Sequence, residues 1–187
     1  IGEESKEELA YQAKDHKWGK AVNPEYEVVR KDSDGDGLSD KWESINGRDP
    51  TDGKLRYEFD CGGWQTEGWE ATTESAGNIA GQLGILDFYL GDGSVTLRRQ
   101  GLQVQSEDNN EALEIQVRSS ACVNISAWAV IEGTKQKLGD AKICSPAGFV
   151  AVRLPMKKDA KGTIESLELS FQGPENLKVE IDRIATE

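Results

Sequence analysis

From Leu55 onward, apolar and polar residues alternate along short stretches. Leu113, Ile115 and Val117 alternate with Glu114, Gln116 and Arg118. Val123, Ile125, Ala127, Ala129 and Ile131 alternate with Asn124, Ser126 and Trp128. Val150, Val152 and Leu154 repeat the pattern around Ala151 and Arg153, and Leu167, Leu169, Phe171, Leu177, Val179 and Ile181 extend it. A period of two puts every second side chain on one face, the mark of a half-buried strand. Gly, Asn, Asp and Pro clusters separate the stretches, so the pattern predicts a mainly β chain folded as an antiparallel β-sandwich.

Residues 1 to 53 read differently. Residues 3 to 17 are charged, with Leu9, Ala10, Tyr11 and Ala13 as the few apolar points, and Asn23-Pro24 breaks them. They predict a short helix with little burial, or a frayed arm. Ser39 to Asn46 predict a second short helix, with Trp42 and Ile45 beside Leu38 on its buried side and Gly47 ending it. Asp49 to Gly53 read as a turn and hinge. The expected organisation is an arm at 1–31, a loop and hinge at 32–53, and a sandwich at 54–187.

One hairpin can be registered from its cysteines. Cys122 precedes one strand, Cys144 ends the next, and Gly133 in Glu132-Gly133-Thr134-Lys135 lies midway between them. A turn centred there pairs Val123 with Ile143 and Ile125 with Ala141, apolar against apolar. It also sets Cys122 opposite Cys144, so a disulfide is expected in an oxidising compartment, with Cys61 left free.

The densest chemistry lies in Asp32-Ser33-Asp34-Gly35-Asp36-Gly37-Leu38-Ser39-Asp40-Lys41-Trp42-Glu43. Asp32, Asp34, Asp36, Asp40 and Glu43 fall at positions 1, 3, 5, 9 and 12 of a calcium loop, and Leu38 at position 7 offers a backbone carbonyl. Gly37 permits the sharp turn. Ca²⁺ is the expected cofactor, because clustered carboxylates repel one another without a cation. With Asn46-Gly47-Arg48-Asp49-Pro50-Thr51-Asp52, the stretch resembles the bacterial thrombospondin type 3 repeat. The resemblance implies a secreted or cell-surface protein and a calcium-stiffened connector. The repeat occurs once, which implies a single joint and not a long stalk.

Net charge is -12 over 187 residues, which disfavours nucleic acid and anionic membranes as partners. No run of about 18 apolar residues is present to insert into a bilayer. The chain opens at Ile1, as a mature or excised fragment does, so the lack of a signal peptide does not count against secretion. Extracellular calcium modules bind with dissociation constants of roughly 10⁻⁴ to 10⁻³ M, which again places the chain outside the cell.

Tyr57-Glu58-Phe59-Asp60-Cys61-Gly62-Gly63-Trp64-Gln65-Thr66-Glu67-Gly68-Trp69 resembles the opening of galactose-binding-like carbohydrate-binding domains. Val179-Glu180-Ile181-Asp182-Arg183-Ile184 resembles their closing strand. Ile115 to Arg118, Ala127-Trp128 and Thr163 to Leu167 agree in layout. The resemblance implies a jelly roll attached to secreted polysaccharide-active proteins, with other domains of a larger chain as neighbours. It also implies a second calcium clipping first strand to last, through Glu58 or Asp60 together with Asp182.

Sugars are held by flat rings against their C–H faces and by polar side chains on their hydroxyls. Trp128, Trp64 and Trp69 are the candidate rings, with Asn124, Gln116 and Arg118 as polar candidates. Trp128 falls on the polar side of its strand; it is ordinary core instead if the loop carrying Trp64 and Trp69 folds over it. No Gly-x-Ser-x-Gly, phosphate loop or His beside a nucleophile is present, and the only histidine, His16, lies in the arm. The leading expectation is a non-catalytic, calcium-binding module for a polysaccharide. The alternative is a structural or adhesive surface module that assembles with other proteins.

Overall fold

The computed structural model describes residues 31–59, 66–72, 79–106, 111–144, 148–156 and 162–186. The chain divides into two compact units, 1–31 and 32–187. The arm helix expected at 3–17 lies outside the described residues, as do Asp60, Cys61 and Trp64.

The described residues of the second unit form helix α1 (Asp40–Ile45) and strands β1 (Arg56–Tyr57), β2 (Trp69–Ala71), β3 (Ala80–Gln82), β4 (Ile85–Leu90), β5 (Ser94–Gln105), β6 (Ala112–Ser119), β7 (Val123–Ile131), β8 (Thr134–Ile143), β9 (Val150–Pro155), β10 (Thr163–Gln172) and β11 (Leu177–Thr186). The strands form two antiparallel sheets. One runs β3-β4-β11-β6-β9, with β1 joined to β11; the other runs β2-β5-β10-β7-β8. Strands that follow one another repeatedly change sheet, as in a jelly roll.

The alternation read from the sequence becomes the core. Val123, Ile125, Ala127, Ala129 and Ile131 of β7 are buried, as are Leu167, Leu169 and Phe171 of β10. They meet Leu113, Ile115 and Val117 of β6 and Val179 and Ile181 of β11 from the other sheet in one cluster. Aromatic pairs tie the layers. Phe88 and Phe171 lie 5.0 Å apart edge to face, and Tyr57 and Trp69 lie 5.6 Å apart at 86°. Such contacts add to area burial by about 0.5–1.5 kcal/mol each.

The β7–β8 hairpin has the expected register at its open end, with Val123 opposite Ile143 and Ile125 opposite Ala141. The register shifts between Ala127 and Trp128, so Ala127 faces Gly139 but Trp128 faces Lys137. The bulged Leu138 lets an odd-centred hairpin close through the two-residue turn Glu132-Gly133, both at positive φ. Cys122 and Cys144 are disulfide-bonded with Cα atoms 4.1 Å apart. The bridge spans 22 residues, and closing a loop of that size stabilises by about 3 kcal/mol in the chain-entropy account. Reduction is expected to lower the denaturation midpoint accordingly; an unchanged midpoint in reductant would mean the hairpin is held by its other contacts alone.

Helix α1 departs from expectation in its facing. Ser39 caps it, its Oγ accepting from the Trp42 amide. Glu43 is the buried residue, and Ile45 is 73% exposed. At about 100° per residue, Ile45 points some 200° away from Glu43, and the acidic loop claims the Glu43 side.

Candidate functional site

The loop from Asp32 to Glu43 is wound around its own carboxylates. Asp32 accepts from the amides of Gly35 (2.7 Å) and Gly37 (2.9 Å). Asp34 accepts from the amides of Asp36 and Gly53, and Asp36 from that of Leu38 at 2.7 Å. Asp40 is turned to Ser33, accepting from its amide and hydroxyl. Gly35 and Gly37 sit at φ +78° and +86°, a region that L side chains rarely adopt. The chain can therefore curl until oxygens of Asp32, Asp34 and Asp36 lie within 4.8 Å of one another.

Negative charge is left unbalanced in this arrangement. Glu43 is 3% exposed, and its Oε2 is buried with no hydrogen-bond partner. Burial and then the neighbouring Asp36, Asp34 and Asp32 push its carboxyl up to about 8. Burial likewise raises Asp36 to about 7 and Asp34 to about 6, with the neighbouring aspartates adding to both. Hard oxygens crowded together, with one orphaned and buried, fit a divalent cation of the Ca²⁺ type.

The loop is fastened to the sandwich through three successive carbonyls. The Gln103 amide donates to Gly35 O at 2.7 Å, the Tyr57 hydroxyl to Asp36 O at 2.9 Å, and Arg99 Nη2 to Gly37 O at 2.7 Å. Arg99 is 8% exposed, and its guanidinium lies 5.8 Å from the Tyr57 ring centre. The hinge expected at 49–53 is tied too: Thr51 is bonded to Asp49, and Gly53 donates to Asp34. Leu38 is buried, as its place on the core side requires.

The first-to-last strand contact implied by resemblance is present, with Arg56 opposite Ala185 and Tyr57 opposite Ile184. Glu58, however, has cations of its own. Arg56 donates to it at 2.6 and 2.9 Å, and Arg48 lies 3.6 Å away. Asp182 sits where the pairing of β11 with β6 shifts. Among the described residues, the acidic group able to hold a metal is Asp32, Asp34 and Asp36; Asp60, the other acid of the second set that the resemblance implies, lies outside the described residues.

The candidate glycan residues separate. Trp69 is 1% exposed against Tyr57, so its ring is core and closed to a sugar face. Gln116 and Arg118 belong to β6, in the sheet opposite β7, and Arg118 is spent on Glu180 at 2.8 Å. Gln116 and Arg118 are separated from Trp128 and Asn124 because the chain changes sheet between β6 and β7. Trp128 and Asn124 do share the outer face of the β2-β5-β10-β7-β8 sheet. Trp128 is half-buried there, and Asn124 is exposed.

That face is ordered in rows across the strands. Glu70, Arg98, Glu168, Trp128 and Lys137 follow one another in register. Thr96, Ser170, Ser126 and Asp140 form the next row, with Thr96 bonded to Ser170 and Ser126 to Asp140. Glu168 is 6% exposed beneath Arg98 and Lys135, which both bond to it. Burial works against its charge, but those donors overcome it and hold the carboxyl below its usual range. Glu168 and Arg99 are not among the residues expected from sequence. The signal for both is a charge in an alternating strand: Glu168 between Leu167 and Leu169, and Arg98-Arg99 after Val95 and Leu97.

No protein-family profile matches the chain, and no curated protein does. Among solved structures, it is similar to a family 29 carbohydrate-binding module from Piromyces equi at 12% identity and TM-score 0.48, over 72% of this chain and 91% of that one. It is also similar to a family 29 module complexed with cellulohexaose, at 13% identity and TM-score 0.46 over 71% and 90% of the two chains. A third, complexed with mannohexaose, gives 13% and 0.45 over 68% and 85%. The likeness is loose, and it transfers no residue of those modules to this chain.

Proposed function

We propose that this chain is a non-catalytic glycan-binding module of a secreted or surface protein, braced by calcium at Asp32, Asp34, Asp36, Asp40 and Glu43. The observation that carries the glycan reading is Trp128: an indole half-exposed on an outer sheet face, among hydroxyl, carboxylate and cationic side chains. A large ring half-open on a solvated face is available to stack on a sugar C–H face, and the flanking rows can meet its hydroxyls. The longest edge strand, β8, carries Lys135, Lys137 and Lys142, which discourages the edge pairing an adhesive module would use. Among the described residues, the carboxyls held well above their usual range lie at the candidate metal loop, and Glu168, paired with Trp128, is held below it, which supports a binding role for this face.

The loop serves as an integral brace and not as a free joint, since Tyr57, Arg99 and Gln103 hold three of its carbonyls. A glycan array followed by titration tests the reading. Trp128→Ala is expected to weaken binding at least tenfold with the melting temperature nearly unchanged, because one stacked ring is commonly worth about 1–3 kcal/mol. Full retention of binding in that variant would move the site off this face.

A further inference from the structure

We propose that the Trp128 face selects acidic glycans, those carrying carboxylate or sulfate groups; this deepens the glycan reading above and rests on it. The chain carries a net charge of -12, yet the ring is surrounded by cations. Lys135 and Lys137 hold their ammonium groups 5.3 and 5.8 Å from the Trp128 ring centre. Their side chains are 51% and 50% exposed, and that of Arg98 is 37% exposed. Lys142 projects from the same strand, opposite Asn124.

Depth separates the signs of charge. Glu168, paired with Trp128 in register, is only 8% exposed at its side chain and is bonded by Arg98 and Lys135. It fixes the two cations in place while their outer sides stay in water. A ligand arriving at the ring meets the cations first. Asp140 and Glu70 are exposed anions of these rows; Asp140 is held by Lys137 at 2.7 Å and by Ser126, and Glu70 lies on β2, beyond Arg98 and three strands from the ring. Lysines on an edge strand commonly serve to block strand pairing. That role explains the charge of β8; it does not explain an indole set between two of the lysines, or a carboxylate buried under two cations on the next strands. Ring plus rigidly placed cations matches a pyranose with an anionic substituent, the ring taking the C–H face and the cations the oxyanion.

The test uses the full chain in calcium, titrated with a polyuronate, a sulfated galactan and a neutral β-glucan of matched length. At low salt, one or both acidic glycans are expected to bind about tenfold or more tightly than the neutral one, with the advantage shrinking as salt screens the charges. Preference between the two acidic probes tells carboxylate from sulfate recognition. The double variant Lys135→Gln, Lys137→Gln is expected to lose that advantage while keeping any neutral binding; Lys137→Gln alone, which leaves the Lys135 bond to buried Glu168 intact, is expected to lose part of the advantage and keep its melting temperature. Trp128→Ala is expected to lose binding to every probe. Neutral glucan bound as tightly as the acidic glycans, and dependent on Trp128, would overturn the acidic preference and leave the glycan reading standing. Acidic binding indifferent to Trp128→Ala would mean charge adsorption, and absence of binding to all three probes would take the glycan reading down with the preference.

Discussion

In chelator, the protein is expected to melt about 5–10 °C below its melting temperature in about 10 mM calcium, in a single transition. An ion present at about 100 times its dissociation constant stabilises by about 2.7 kcal/mol, and each kcal/mol moves the midpoint about 2–4 °C in a chain of this size. The size of the gap should depend on pH. Asp34, Asp36 and Glu43 titrate near 6, 7 and 8 when folded, above the unfolded values near 4. The folded state therefore binds these protons more tightly than the unfolded one. Their stabilising contribution is fully present below about pH 4 and is lost as pH rises through the folded values. Without calcium, the melting temperature should fall between pH 5 and pH 8. With calcium, the same deprotonation prepares the ligands, so the two curves should part. Glu43→Gln sharpens the test: it removes the orphaned buried charge, so it should raise the chelated midpoint and collapse the calcium increment. Asp40→Asn should cost less of that increment, because Asp40 is already engaged by Ser33. Melting by fluorimetry at both pH values decides it. A gap that does not change with pH, or a Glu43→Gln protein that keeps the full calcium increment, would remove the metal from this loop.

Cutting the bond between Arg99 and the loop is expected to cost about 1–3 kcal/mol, the range for leaving a buried partner unpaired. Arg99→Met keeps much of the stem and deletes the donor to Gly37 O. Gly37→Ala attacks the contact from the other side. A Cβ there would lie 2.1 Å from Arg99 Nη2, on a backbone already at φ +86°. Gly47→Ala is the control: it carries φ +71° but meets nothing within 4 Å, so it should show the backbone strain alone, about 1–2 kcal/mol. Both Arg99→Met and Gly37→Ala should shrink the calcium increment; Gly47→Ala should not. A chain beginning at residue 54 would leave Tyr57, Arg99 and Gln103 without their acceptors, and is expected to melt well below the full protein in chelator. Denaturant titration of the four variants is the measurement. Equal losses for Gly37→Ala and Gly47→Ala, or a truncated chain as stable as the whole, would return the loop to the status of an independent joint.

Much of the sandwich is legible in the sequence because β6, β7, β9, β10 and β11 keep a clean period of two, and burial enforces that period. Strand β5 is hidden for a physical reason. After Val95 and Leu97 the inward place goes to Arg99, and Gly101 lies where the pairing with β10 slips between Ile164 and Ser166. The alternation changes parity there, from Val95, Leu97 and Arg99 to Leu102 and Val104, because the strand bulges just after Arg99 turns to the loop. The candidate metal loop is legible in its carboxylate spacing, since an oxygen cage would demand fixed positions along the chain. Its anchoring is not, because Tyr57, Arg99 and Gln103 come together only through folding. The glycan candidates show the same limit. Sequence parity puts Trp128 and Asn124 on one face correctly, but parity cannot say which strands lie side by side, and Gln116 and Arg118 belong to the far sheet.

Strand β11 governs the order of assembly. It is the last strand of its sheet along the chain, yet it lies in the middle, pairing with β4 through Leu177 to Ile181, with β1 through Ile184 and Ala185, and with β6 on its other edge. Until it is synthesised, β4 and β6 have no partner between them, and β1 has none at all among the described strands. The sheet must close over a separation as long as that from Arg56 to Ala185, the kind of distant pairing that makes folding slow. The pairs β3–β4 and β6–β9 can form before β11 arrives, but they become one sheet only when it lies between β4 and β6.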